Sequence, residues 1–126
     1  MMETTERKRY DLDERTFKFA EQVVSFARLL PHDPATRELV RQVVRSSGSV
    51  GANYVEASEP LGRKDFLMRA RICRKEATET AYWLRLLKGI RPQLEAQRCS
   101  LIQEATELTR IFGAIVSRGE TRDAAP

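Results

Sequence analysis

Glu76 and Glu79 lie one helical turn apart in the run Lys75-Glu76-Ala77-Thr78-Glu79, and Asn53 and Glu56 repeat that spacing after Gly51. Paired carboxylates can act as acid and base, and in a four-helix core they can hold a di-iron centre. The iron chemistry needs Glu-x-x-His pairs. The one histidine, His32, sits between Pro31 and Pro34 in a turn, and no helical segment contains another. Cys73 and Cys99 stand alone, outside any Cys-x-x-Cys pair, and with His32 they fall short of the four clustered ligands of a zinc site. Serine-hydrolase, phosphate-loop, zincin and dinucleotide signatures are absent from the sequence. The expectation is therefore a protein that is not an enzyme and needs no cofactor or metal. Asn53, Glu56, Glu76 and Glu79 then read as interior polar groups. A buried carboxylate needs a partner or it neutralises, and Arg69, Asn53 and Ser49 are available. The competing reading leaves both Glu76 and Glu79 in solvent.

The elements that would position these groups are helices. Pro31 with Pro34, Pro60 and Pro92 fall between periodic segments and never inside them. No useful stretch alternates apolar with polar residues, so strands are not expected. The first helix is expected from about Asp13 to Leu30, with Phe19, Val23, Phe26, Ala27 and Leu30 on one face together with Leu12. The second spans about Pro34 to Ala57 with a stripe of Leu39, Val40, Val43, Ser47, Val50 and Tyr54. The third follows a Pro60-Leu61-Gly62 turn and runs from near Arg63 to near Lys88. The fourth runs from about Pro92 to Ser117 with Leu94, Leu101, Ala105, Leu108, Phe112 and Ile115. Short connections predict antiparallel neighbours, and so an all-α, up-down four-helix bundle. Residues 12–118 are expected to form this domain, with residues 1–11 and 119–126 as disordered polar ends. The segment Ser46–Ala57 carries Gly48 and Gly51 inside a helix, at about 1 kcal/mol each relative to alanine, which points to close approach by a neighbour.

At 100° per residue the third helix has two apolar faces. Phe66, Ala70, Cys73, Ala77 and Leu84 suffice for the core. Met68, Ile72, Trp83 and Leu86 lie elsewhere, and a second stripe with a tryptophan reads as a subunit interface. The remaining sector holds Arg63, Lys64, Arg71, Arg74, Lys75 and Arg85 around Tyr82. Arg37, Arg41 and Arg45 share a face of the second helix. The net charge is +4, and 17 of the 22 basic residues are arginine. A polyanionic partner and a codon bias toward arginine account for that excess equally well. Phosphate contacts by these nine residues would give salt-dependent, sequence-independent nucleic-acid binding. No apolar run approaches the ~20 residues that cross a bilayer, and the polar first residues lack a signal-peptide core. A cytoplasmic protein without membrane contact is expected.

The run Arg45–Ala57, RSSGSVGANYVEA, then Lys64-Asp65-Phe66, then KEATETAYWL from Lys75, closely resembles the bacterial four-helix bundle family of 23S rRNA intervening sequence, or S23-type, proteins. Ala81 departs from that pattern, whose members often carry a polar or charged residue there. The resemblance implies a homo-oligomeric, pentameric ring. It also implies a relation to the accessory variability determinant of diversity-generating retroelements, a basic bundle that binds nucleic acid and a reverse transcriptase. Two functions follow as expectations: an oligomer that binds RNA or an RNA–DNA hybrid, or an adaptor that binds a protein such as a reverse transcriptase.

Overall fold

A computed structural model describes the backbone of residues 4–58 and 62–124 and the side chains of 11–58 and 62–122. Four long helices follow one another: α1 (Thr4–Ala27), α2 (Pro34–Ser58), α3 (Arg63–Leu86) and α4 (Glu95–Ala124), the last preceded by a short 3-10 turn, Pro92–Leu94. Sequence neighbours pack antiparallel. α3 lies against both α2 and α4, α1 lies mainly on α2, and α1 touches α4 only lightly. Pro60 and Leu61 of the expected turn, and residues 1–3 and 125–126 of the expected ends, lie outside the described residues.

Local chemistry sets the helix boundaries. Asp33 caps α2: its Oδ1 accepts the Thr36 amide at 3.0 Å and its Oδ2 accepts the Thr36 hydroxyl at 2.8 Å. These bonds favour the charged carboxylate and hold the Asp33 pKa below its usual value. Pro34 follows as the first helical residue, where a missing N–H costs nothing. After α3 the chain reverses at Gly89, whose φ of +77° is left-handed and favours glycine. Arg98 locks this corner. It is buried, its Nε donates to Glu95 at 2.8 Å, and its Nη1 donates to the Leu84 carbonyl at 3.1 Å, joining the Leu87 amide that the same carbonyl accepts at the end of α3.

The core takes Phe19, Val23 and Phe26 from α1, Val43, Val50 and Tyr54 from α2, Cys73, Ala77 and Leu84 from α3, and Leu101, Ala105, Leu108 and Phe112 from α4. Tyr54 and Phe112 meet with ring centroids 5.8 Å apart, tilted by 60°. Each fully buried phenylalanine contributes about 2–3 kcal/mol of hydrophobic stabilisation. The expected stripes thus form most of the interior, with Leu12, Leu39, Val40, Leu94 and Ile115 partly buried around it, whereas Phe66, expected in the core, lies in the first turn of α3 and is only half-buried outside it.

Three features differ from expectation. Helical backbone extends to Thr4 and to Ala124, beyond the helix ends expected near Asp13 and Ser117. At the C-terminal end the reason is a contact: buried Gly119 packs against Leu67, and Glu120 accepts Arg71 Nη2 at 2.9 Å. Leu67, Glu76, Thr80 and Leu87 are buried although they lie off the expected core face of α3. α3 contacts helices on two sides, so its buried arc is wider than one stripe. The two glycines of α2 also differ in use. A Cβ on Gly51 would stand 3.2 Å from Thr16 Oγ1 of α1, whereas a Cβ on Gly48 would meet nothing within 4 Å.

Candidate functional site

The polar residues singled out by spacing gather along the seam between α2 and α3. Arg45 reaches across it, with Nη1 3.3 Å from Glu76 Oε2 and Nη2 3.2 Å from Glu79 Oε2. The Glu76 side chain is only 8% exposed, the Arg45 side chain 52%. The Arg45–Glu76 contact is an ion pair without hydrogen-bond geometry, since Glu76 Oε2 is buried and accepts no bond. Further along, Asn53 Nδ2 donates to the Ser49 carbonyl at 2.9 Å, and Asn53 Oδ1 accepts Arg69 Nη1 at 3.1 Å. Deeper still, the Thr80 hydroxyl donates to the Glu76 carbonyl at 2.7 Å and lies 2.8 Å from Ser46 Oγ. Glu56 is the correction: it is exposed and stands apart from this network. Its helical phase lies about 60° beyond Asn53, which carries it over the rim of the seam.

Cys73 sits behind the seam with its Sγ donating to the Val50 carbonyl at 3.3 Å, and burial pushes its thiol pKa up to about 12. It is a small core residue, and Cys99 is exposed on α4. The Glu76 and Glu79 carboxylates of the seam therefore share one counter-charge, Arg45. That arrangement joins helices.

The nine basic residues divide by their partners. Arg45 is held by the seam, Arg41 by Glu38 at 2.9 Å on its own helix, Arg71 by Glu120, and Arg63 Nη2 lies 3.5 Å from the Gly119 carbonyl. Arg37, Lys64, Arg74, Lys75 and Arg85 are exposed and have no ion pair with any described carboxylate. By helical phase Lys64, Arg71, Tyr82 and Lys75 run down the outward side of α3, with Arg74 and Arg85 turned toward α4. The arginines of α2 stand across the seam from them, so the two basic stripes do not merge into one patch.

The chain matches the 23S rRNA-intervening sequence protein family over residues 8–114. It belongs to that family. Among solved structures it is similar to a protein of unknown function from the S23 ribosomal protein family of Bacteroides thetaiotaomicron VPI-5482, at 30% identity and a TM-score of 0.75, over 87% of this chain and 98% of that one. No curated protein matches it.

The family run from Arg45 to Ala57 thus builds the seam: Arg45 and Asn53 bridge to α3, Ser46 bonds across it, and Gly51 admits α1. The second apolar stripe of α3 lies just outside the same seam. Met68 and Leu86 are exposed, whereas Ile72 is half-buried and Trp83 leans on the bundle's own core. Tyr82 is exposed and meets the Trp83 ring edge-on, with centroids 5.1 Å apart. Sequence reasoning missed Arg98 as a buried structural arginine. The Glu95-x-x-Arg98 spacing was its only signal, and the decisive partner, the Leu84 carbonyl, is a tertiary contact. No helix among the described residues is long and apolar enough to cross a membrane.

Proposed function

We propose that this family member is a non-enzymatic, self-assembling bundle that binds RNA through the outward side of α3. The observation that carries the reading is the set of exposed cations that pair with no described carboxylate, Lys64, Arg74, Lys75 and Arg85, along the helix that carries exposed Tyr82. Cations with no internal partner are available to phosphates, and an exposed ring among them can stack on a base. Arg37 adds on α2 an exposed cation that pairs with no described carboxylate, while Arg41, Arg45, Arg63 and Arg71 are engaged by partners within the chain and contribute long-range field. The family's name links it to 23S rRNA, which makes structured RNA the first polyanion to try. Met68, Ile72, Trp83 and Leu86 supply the face for a second copy.

Fluorescence anisotropy with a labelled structured RNA at two salt concentrations tests this. Engagement of three to five phosphates predicts that log K falls with log salt at a slope of roughly −2 to −4. Lys64→Glu with Lys75→Glu and Arg85→Glu should abolish binding, while Arg71→Glu weakens it less. No binding at low salt, or binding indifferent to salt, rules the reading out. Capture of a protein partner by the triple variant, with no RNA bound by the native chain, would favour an adaptor.

A further inference from the structure

Among the described residues, α1 and α4 close the bundle less tightly than the other neighbouring helices, because α1 rests mainly on α2. They leave a groove of about 800 Å³ between them, floored by the fully buried Phe19. That volume lies within the roughly 300–1,000 Å³ of ligand pockets. Arg15 of α1 spans the groove to Glu104 of α4, with Nε donating to Oε2 at 2.7 Å and Nη2 donating to Oε1 at 2.8 Å.

This two-pronged pair fixes the register. After three chain reversals α1 and α4 run antiparallel, so residues before Arg15 stand beside residues after Glu104. On one side of the bridge Asp11 and Glu14 of α1 line the groove with Glu107 of α4. On the other side Lys18 and Gln22 line it with Ser100 and Gln103. One end is therefore acidic, and the other offers amides, a hydroxyl and one ammonium. Asp11 and Glu14 are exposed and pair with no described cation, while Glu107 reaches Arg110 of its own helix at 3.5 Å. The chain as a whole carries a net charge of +4, so this end opposes its overall sign.

Each end excludes a class of ligand. The carboxylates repel phosphates, and α1 stands diagonally across the bundle from α3, so this face is no extension of the RNA surface. A linear polyamine suits the acidic end, but its further ammonium groups meet Lys18 at the other. An extended peptide with a lysine or arginine suits both. Its cation sits at the carboxylates, and its backbone N–H and C=O groups meet Gln22, Gln103 and Ser100, whose side chains both donate and accept. From Asp11 to Gln22 the groove runs about 16 Å at 1.5 Å per helical residue, the reach of about five extended residues.

We propose that the α1–α4 groove docks an extended basic peptide segment of another protein. Asp11, Glu14 and Glu107 hold its cation, Gln22, Gln103 and Ser100 hold its backbone, and the Arg15–Glu104 bridge sets the width between them. The site is independent of the RNA reading, and both faces can be occupied at once.

Fluorescence anisotropy of a dye-labelled, end-capped Gly-Gly-Arg-Gly-Gly peptide with the full chain tests this. Saturable binding with a Kd of about 1 mM or tighter is expected. The same peptide with glutamate in place of arginine should not bind. Asp11→Asn with Glu14→Gln removes two charge partners and should weaken binding about threefold to tenfold. Gln22→Ala with Gln103→Ala should weaken it too. All four side chains are exposed, and circular dichroism checks that each variant keeps its helices; Ser100→Ala replaces the glutamine pair if that variant does not. No binding by the native chain, or binding of both peptides alike, overturns the proposal. So does an effect of one variant pair without the other: if only the carboxylates matter, the groove is an acidic patch that takes any polycation.

Discussion

Arg45 separates a structural role from a nucleic-acid role, and its removal has a calculable effect. Arg45→Met keeps most of the aliphatic stem that packs on the seam and deletes the guanidinium. Glu79 is then only a partly exposed carboxylate that has lost a surface pair, worth about 0.2–1 kcal/mol. Glu76 is different, because its side chain is 8% exposed and its Oε2 already lacks a hydrogen bond. Stranding a buried charge costs about 3–5 kcal/mol when the pair is fully enclosed. Arg45 is half exposed, so water can enter the space it leaves, and the expected loss is about 1–3 kcal/mol. With a urea m-value of about 2 kcal/mol/M, that lowers the midpoint by about 0.5–1.5 M. Glu76→Gln in the same chain removes the stranded charge and should recover most of the loss. Urea unfolding of native, Arg45→Met, Glu79→Gln and the Arg45→Met/Glu76→Gln double variant at one protein concentration gives the comparison. If Arg45→Met unfolds with the native midpoint, or if Glu76→Gln fails to restore it, Arg45 is not the counter-charge of the seam.

Two further outcomes follow from buried contacts. Gly51→Ala gains about 1 kcal/mol of helix propensity. Its Cβ would meet Thr16 Oγ1 at 3.2 Å, an atom tied to the Leu12 carbonyl at 2.7 Å, and overpacking costs about 1–3 kcal/mol; a raised melting temperature in a thermal scan would refute the close approach of α1. A thiol reagent at neutral pH should label one cysteine per chain at once, Cys99, and reach Cys73 only in denaturant, because burial keeps that thiol protonated; two fast thiols in the folded protein would place Cys73 at the surface.

Periodicity and punctuation determined most of the fold. Prolines that never interrupt an apolar stripe and stripes at helical spacing sufficed for four helices and for most of the core. This works because helix phase is a local property: which residues share a face depends on spacing alone. The motif residues also indicated that Asn53, Glu76 and Glu79 belong to an inter-helix polar network, with Arg69 as one partner. What remained depends on how far each helix is wrapped by its neighbours. Glu56 and Asn53 have the same residue types and spacing in either environment, and the edge of α3 passes between them. Gly48 and Gly51 are equivalent in the sequence, and only the position of Thr16 on α1 distinguishes them. Likewise the arginines of α2 and α3 are one population by composition. Their division into fold-holding and free cations is set by where Glu38, Glu76, Glu79 and Glu120 come to lie, and tertiary packing alone decides that.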